Sequence, residues 1–190
     1  MRRLICLAGL GALVAACSAS TPSPSPSPNV DVTGILMVDV DEQVQTGPMA
    51  RRFANAFGDA MLLAETNGDD LGYPWLDPLS GELILSAATP RGRELIEAAG
   101  ITVPYRIREV THGAAELRRI QDDVTLLGAR GVPGSEVIFM TLPDHRDNRT
   151  LIVMSELDRA LLEYLAGHYP VDALAVQVDP DFPGAGPASP

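Results

Sequence analysis

The chain has 190 residues, of which 46% are hydrophobic, and this length suits one folded domain with a sizeable core. Its 25 acidic and 14 basic side chains give a formal net charge of −11. Because an acidic surface has no positive field to attract phosphates, the composition argues against a nucleic-acid-binding protein.

The N-terminus has the pattern of a bacterial lipoprotein signal. Arg2 and Arg3 precede an apolar run at 4–16, which is shorter than the roughly 20 residues that span a bilayer. The run ends in two small residues directly before Cys17, as in the segment that lipoprotein signal peptidase cleaves. We therefore expect residues 1–16 to be removed and Cys17 to carry the lipid. An ordinary secretory signal is the alternative.

Cys17 would attach the protein to the extracytoplasmic face of the cell membrane. Two or more acyl chains give stable anchoring, at roughly 0.8 kcal/mol per buried CH₂. Cys6 lies in the segment to be removed, so the mature chain keeps one thiol and its fold must rest on packing. Loss of Arg2 and Arg3 also changes the formal net charge from −11 to −13.

The composition divides the remaining chain into a tether, a folded part and a tail. Residues 17–29 alternate serine with proline after the cysteine, which favours an extended spacer of about 3.1 Å per residue. The folded domain is expected over 30–180, and its two lobes would cover 30–110 and 111–180. Residues 181–190 are rich in proline and glycine and are expected to form a flexible tail.

Apolar periodicity predicts strands and helices in the folded part. Strands are expected at 34–40, 82–88, 103–110, 137–142, 150–154 and 173–178. Helices are expected to begin at Pro48, Thr89, Thr111 and Ser155. The alternating strand at 103–110 is expected at a sheet edge, and the polar segment 143–149 is expected to close a hairpin.

The segments 82–109 and 149–178 share one plan, namely a strand, a capped helix, a glycine and a second strand. This plan predicts an α+β fold of small, mainly antiparallel sheets with helices packed on one face, arranged as two strand–helix–strand lobes. Trp75 is the only tryptophan, and we expect it to pin its proline- and glycine-rich turn to the core.

No active-site motif is recognisable in the sequence. His112, His145 and His168 fit surface or capping roles, and no GxSxG elbow is present. Asp144 and Asp147 flank His145 and could bind a metal weakly, but no second histidine or cysteine stands at ligand spacing. We therefore predict no catalytic residue, no metal and no cofactor. A hydrolase with an unrecognised site is the alternative.

A series of short motifs between residues 53 and 178 occurs in an order known from one protein family. In chain order the motifs are Trp75-Leu76-Asp77-Pro78, Gly81, Glu82-Leu83-Ile84-Leu85, Thr89, Ala98-Ala99-Gly100, Glu116-Leu117, Asp147-Asn148-Arg149, Thr150-Leu151-Ile152-Val153 and Ala175-Val176-Gln177-Val178. This order resembles the pro-region of bacterial chymotrypsin-like serine proteases of the streptogrisin and alpha-lytic type.

In that family the pro-region is not catalytic; it clamps the protease domain, assists its folding and inhibits it. The resemblance implies that the strands at 137–142, 150–154 and 173–178, with the tail after Asp179, would contact a protease. No protease domain follows in this chain and a lipid signal precedes, so we expect a separate secreted serine protease as partner. The alternative is an envelope lipoprotein that reuses the fold for an unrelated ligand-binding or structural role.

Overall fold

The structure is a computed structural model that describes residues 30–38, 51–77 and 80–181, with the backbone alone at residues 51 and 52. The expectations for the signal, Cys17 and the tether at 1–29, for the strand end at 39–40 and the helix start at Pro48, and for the tail beyond 181, lie outside these residues. The elements are β1 Leu36–Val38, α1 Arg51–Thr66, β2 Leu71–Leu76, β3 Leu83–Ala87, α2 Pro90–Ala98, β4 Tyr105–Glu109, α3 Ala114–Thr125, β5 Ile138–Asp144, β6 Arg149–Met154, α4 Arg159–His168 and β7 Leu174–Val178.

The strands form two sheets, and the α+β class is confirmed. One sheet has four strands in the order β1-β7-β6-β5, and the other has three in the order β2-β3-β4. Strand β4 lies at a sheet edge and β5 and β6 form a hairpin, as predicted. In pairing, the structure differs from the expectation. Three pairs are parallel, namely β1–β7, β3–β4 and β6–β7. In β3–α2–β4 and β6–α4–β7 the cause is a strand–helix–strand crossover, which returns its second strand in the same direction.

The three-stranded sheet packs against α1 and α2. In α1, small apolar side chains recur every four residues, so Ala56, Ala60 and Ala64 are all buried against this sheet. Thr89 caps α2 as predicted, since its side chain accepts a hydrogen bond of 3.1 Å from the Gly92 backbone N–H, with Pro90 following. Leu83 and Leu85 of β3 complete this core.

The four-stranded sheet carries its main core on one face. Alternate side chains of β6 and β7 point to the same side and pack with α3 and α4. The buried members of this cluster include Leu117, Ile120, Ile152, Met154, Leu161, Leu165, Leu174 and Val176. Thr150 is fully buried, and its hydroxyl donates to the Leu117 carbonyl at 3.0 Å, which fixes α3 to the sheet. The opposite face of this sheet, called the outer face below, is turned away from α3 and α4.

Strand β1 belongs to the four-stranded sheet, although it comes first in the chain. It pairs with β7 in parallel, and one Arg149 guanidinium nitrogen donates to the carbonyls of Gly34 at 3.0 Å and Leu174 at 2.9 Å. The lobe predicted over 30–110 therefore differs from the structure, since its first strand pairs with β7 of the lobe predicted over 111–180. Aromatic Tyr73 of β2 also packs in the core of the four-stranded sheet, so the two sheets share contacts across the predicted boundary.

Two helix starts differ from the sequence prediction. Helix α3 is capped at Gly113 instead of Thr111, and α4 is capped at Asp158 instead of Ser155. The Asp158 carboxylate accepts from the Leu161 N–H at 2.8 Å, which supplies the cap that we expected from Ser155. Across the described residues, none of the helices is long and apolar enough to cross a membrane.

Candidate binding cleft

A cleft of about 380 Å³ lies on the outer face of the four-stranded sheet. The sheet forms its floor, the β5–β6 turn forms one wall, and an aromatic side chain from the other sheet forms another. The lining residues are Val38, Trp75, Leu142, Pro143, Asp144, His145, Arg146, Asp147, Leu151 and Gln177. The cleft therefore joins all three of the C-terminal strands that the resemblance assigns to partner binding.

The register of the sheet explains why these side chains meet. Leu142 stands opposite Leu151, and Val38 stands opposite Gln177, so both pairs share one face. Their neighbours along the strands, such as Ile152, point into the core on the other face. The outer face is thus apolar at β1, β5 and β6, and it bears an amide at β7.

Trp75 reaches the cleft because β2 is irregular. The β2–β3 register shifts between Gly72 and Trp75, in a segment that contains Pro74. Trp75 then pairs with Ile84, is half-buried, and lies outside both hydrophobic core clusters. Our expectation that it pins a turn to the core is therefore wrong, since the side chain lines the cleft instead.

The β5–β6 turn is held in place by Arg108 of β4. Its guanidinium donates to the backbone carbonyls of His145 and Arg146, and its Nε donates to the Ser86 hydroxyl at 2.9 Å. Ser86 in turn donates to the Tyr73 carbonyl at 2.9 Å. A charge-assisted network therefore fastens this wall of the cleft to the three-stranded sheet.

Within the turn, local hydrogen bonds set the backbone. One Asp144 carboxylate oxygen accepts from the N–H groups of Arg146 at 3.0 Å and Asp147 at 3.1 Å. Asn148 adopts the left-handed conformation, with φ of 54°, and returns the chain into β6. The His145 ring stacks on the Tyr73 ring, with 5.0 Å between centroids. The wall is thus preorganised before anything binds.

The environment of this wall disfavours charge of either sign. Burial lowers the pKa of His145, and the positive charge of Arg108 lowers it further. Burial also raises the pKa of Asp144, although its hydrogen bonds to the turn N–H groups oppose that shift. His145 is therefore neutral at neutral pH, and the carboxylate of Asp144 is held at a cost in solvation.

Two buried polar atoms of the cleft residues have no hydrogen-bond partner. These are Oε1 of Gln177, a residue that is only 1% exposed, and Nε2 of His145. Buried polar groups in proteins are nearly always hydrogen-bonded, because an unpaired one costs about 1–3 kcal/mol. Both residues line the cleft, but these two atoms are themselves buried beneath its surface.

A second, more polar cavity of about 320 Å³ lies on the other side of the turn. His112 is buried there, with Nδ1 at 3.0 Å from a Glu116 carboxylate oxygen and Nε2 at 3.3 Å from Asp172. The surface or capping role that we expected for His112 is therefore wrong. The His112 carbonyl also accepts a hydrogen bond of 3.0 Å from the Asn148 side chain, and this bond helps to hold the β5–β6 turn in place.

The three histidines have separate surroundings: His145 stacks on the Tyr73 ring, His112 lies between two carboxylates, and His168 contacts a backbone carbonyl. His168 ends α4 as predicted, and its Nδ1 lies 2.7 Å from the Tyr164 carbonyl. In residues 30–38, 51–77 and 80–181, no hydrogen bond joins His112, His145 or His168 to a serine, threonine or cysteine side chain. Nor do three metal-ligating side chains converge anywhere in these ranges.

Sequence reasoning missed the cleft, although faint signals for it exist. Gln177 is the one amide inside an otherwise apolar strand, and Arg108 falls in a strand that alternates charged and apolar residues. Neither pattern indicates which side chains meet across two sheets. No protein-family model matches this chain, and no curated protein matches it either.

Proposed function

We propose that this protein is a lipid-anchored, extracytoplasmic and non-catalytic module that binds a protein partner through the cleft. The observation that carries the proposal is the cleft itself, an apolar opening on a sheet face with Trp75 at its side. Tryptophan and other large aromatic residues are enriched at protein interfaces, where they contribute much of the binding energy.

The shape of the cleft supports a protein partner over a small molecule. Its floor is the outer face of a sheet, and apolar side chains of Val38, Leu142 and Leu151 contribute to it. A small-molecule site more often encloses most of its ligand. A segment of a partner protein, in contrast, can lie along strands and insert one side chain.

The partner we propose is a secreted chymotrypsin-like serine protease, which the module inhibits or helps to fold. Support comes from the resemblance to the protease pro-region, in which the sheet of the C-terminal lobe contacts the protease. Leu142 of β5, Leu151 of β6 and Gln177 of β7 lie on the strands in question and line one cleft. The resemblance and the geometry of the cleft therefore support the same binding surface, which β5, β6 and β7 form.

The test is capture of secreted proteins of the source organism by the immobilised full chain, followed by an assay of serine protease activity. Leu151→Asp places a charge on the cleft floor, and Leu62→Asp places one on the 64% exposed Leu62 of α1 as a matched control. We expect saturable capture of a protease by the wild type and by Leu62→Asp, with loss of at least about tenfold in affinity for Leu151→Asp.

Capture that Leu151→Asp leaves unchanged would place the partner elsewhere on the molecule. If no protein is captured, and a panel of chymotrypsin-like enzymes keeps its activity and refolding yield, the protease-binding proposal fails. The resemblance would then be one of fold, and the envelope role unrelated to proteases would take its place.

Anchoring through Cys17 is tested separately from partner binding. The position of Cys17 after an apolar run and two small residues supports lipid attachment. We expect the wild type to incorporate labelled palmitate and to sediment with membranes, and Cys17→Ala to do neither. Membrane association and labelling that persist in Cys17→Ala would contradict the anchor.

A further inference from the structure

We infer that the cleft holds its partner at neutral pH and releases it in mildly acidic surroundings, with His145 of the β5–β6 turn as the sensing group. The inference rests on the proposed function, since it adds a form of regulation to the same site. It is carried by the position of the His145 ring, which belongs to the cleft wall, stacks on a buried tyrosine and lies beside a cation. A proton on this ring therefore acts on the wall itself.

The polar edge of the His145 ring lies inside the wall. The ring stacks on that of Tyr73, which is only 4% exposed, with 5.0 Å between the ring centroids. Its Nε2 atom is buried and has no hydrogen-bond partner in the part of the chain that the structure describes. A neutral imidazole carries a hydrogen on one nitrogen, whereas an imidazolium carries one on both. Protonation therefore leaves a charged, unpaired donor at Nε2, which destabilises a buried position.

The charges around the ring do not compensate for this loss. The Arg108 guanidinium of β4 donates to the His145 carbonyl and repels a second positive charge, and Arg146 adds a cation in the turn. One oxygen of the Asp144 carboxylate is already bonded to two backbone N–H groups, and Asp147 is exposed. Burial and Arg108 accordingly lower the pKa of His145.

An outward movement of the turn relieves the strain of protonation. The turn lies at the tip of the β5–β6 hairpin, and its side chains Arg146 and Asp147 already face water, so it can move without breaking either sheet. In water His145 regains the ordinary pKa of about 6.5. The open wall then binds a proton more tightly than the closed wall, so acidification below that value favours opening. An open wall removes one side of the cleft and its contacts with an occupant.

The first test needs no partner. Acrylamide is a neutral quencher, so its effect on the fluorescence of Trp75, the only tryptophan, reports how accessible this cleft side chain is. In the full wild-type chain we expect the quenching constant to rise between about pH 7.5 and pH 5, with a midpoint below about 6.5. Circular dichroism at both pH values checks that the chain stays folded.

Two histidine variants assign this rise to one ring. His145→Phe keeps a ring against Tyr73 and cannot take up a proton, so its quenching constant should be the same at both pH values. His168→Phe is the matched control, because His168 also stacks on a tyrosine, Tyr164, with 3.9 Å between centroids, but does not line the cleft. It should keep the wild-type rise.

A wild-type quenching constant that stays the same at both pH values would overturn the inference. A rise that persists in His145→Phe, or that is lost in His168→Phe, would overturn the role of His145. If His145→Phe does not fold, NMR titration of the His145 ring in the wild type decides. Its midpoint must coincide with that of the quenching, and two separate midpoints would refute the coupling.

Release of the partner is tested on the protease captured at neutral pH. Its affinity should fall by at least about threefold between pH 7.5 and pH 5 for the wild type and for His168→Phe, and by less for His145→Phe. Titration of the protease itself is common to the three proteins, so an equal fall in all of them would overturn the inference. No capture at either pH would refute the proposed function and with it the release, whereas the quenching experiment alone decides whether the wall opens.

Discussion

Arg106 and Arg108 stand two positions apart on the same strand, and their surroundings differ. Arg108 is partly buried and holds two turn carbonyls and the Ser86 hydroxyl. Arg106 is 61% exposed and forms one ion pair with Glu82, at 3.8 Å. Exposed pairs of this kind contribute little, whereas charge-assisted bonds to partly buried acceptors, here the His145 carbonyl and the Ser86 hydroxyl, leave unsatisfied groups when they are removed.

These two arginines give a matched prediction about stability. Arg108→Met should lower the free energy of unfolding by about 1–3 kcal/mol, because the partly buried His145 carbonyl and Ser86 hydroxyl lose their charged donor. Arg106→Met should change it by no more than about 0.5 kcal/mol. Chemical unfolding of both variants measures the difference. Equal effects of the two substitutions would refute the role assigned to Arg108.

His145 gives a prediction about pH. Burial and the charge of Arg108 lower its pKa, so the unfolded chain binds the proton more readily than the folded chain does. The free energy of unfolding should therefore fall as the pH drops below the ordinary histidine value of about 6.5, and level off below the lowered pKa. His145→Phe keeps a ring against Tyr73 and removes this titration.

We expect the stability difference between about pH 7.5 and pH 5 to be smaller in His145→Phe than in the wild type. Urea unfolding of both proteins at the two pH values measures it. Every other ionisable side chain is the same in the two proteins, so the comparison isolates His145. An identical pH dependence would show that His145 is not the group responsible.

At the scale of elements, α2 lies unusually close to the backbone at the start of β2. A Cβ placed on Gly92 would come within 2.0 Å of the Asp70 carbonyl oxygen, which belongs to the backbone. Gly92→Ala should therefore cost roughly 1–3 kcal/mol in stability. Gly58→Ala in α1 meets no atom within 4 Å and should stabilise by about 0.5–1 kcal/mol through helix propensity.

Thermal and urea unfolding of the two glycine variants provide the measurement, since both carry the same chemical change. Loss of stability in Gly92→Ala together with a gain in Gly58→Ala is the expected pattern. If Gly92→Ala were as stable as the wild type, the close approach of α2 to Asp70 would not exist.

Elements were predictable where the local signal was complete. Thr89 followed by Pro90 marks the start of α2, and the structure agrees. Thr111 and Ser155 do not cap their helices, because Gly113 is the N-cap of α3 and Asp158 is the N-cap of α4. Gly113 is needed there, since a Cβ would lie 2.2 Å from the Gly68 carbonyl oxygen, and this tertiary contact is invisible in the sequence. Asp158 supplies a carboxylate cap three residues beyond Ser155.

At the scale of the whole molecule, the site depends on contacts between the two sheets. Tyr73 of the three-stranded sheet packs in the core of the other sheet and stacks on His145 of the turn. Arg108 fastens the same turn from β4. The sequence predicts each strand by its periodicity, but period-two patterns do not reveal which sheets approach each other. Hence the fold class could be predicted and the cleft could not.

The central claim is that the cleft beside Trp75 binds a secreted protease. The most direct measurement incorporates 5-fluorotryptophan into the full chain, which gives one fluorine NMR signal because Trp75 is the only tryptophan. Adding an unlabelled chymotrypsin-like protease should shift or broaden this signal in the wild type and in Leu62→Asp, but not in Leu151→Asp. A protease whose activity is lowered by the chain while the Trp75 signal stays unchanged would contradict the claim.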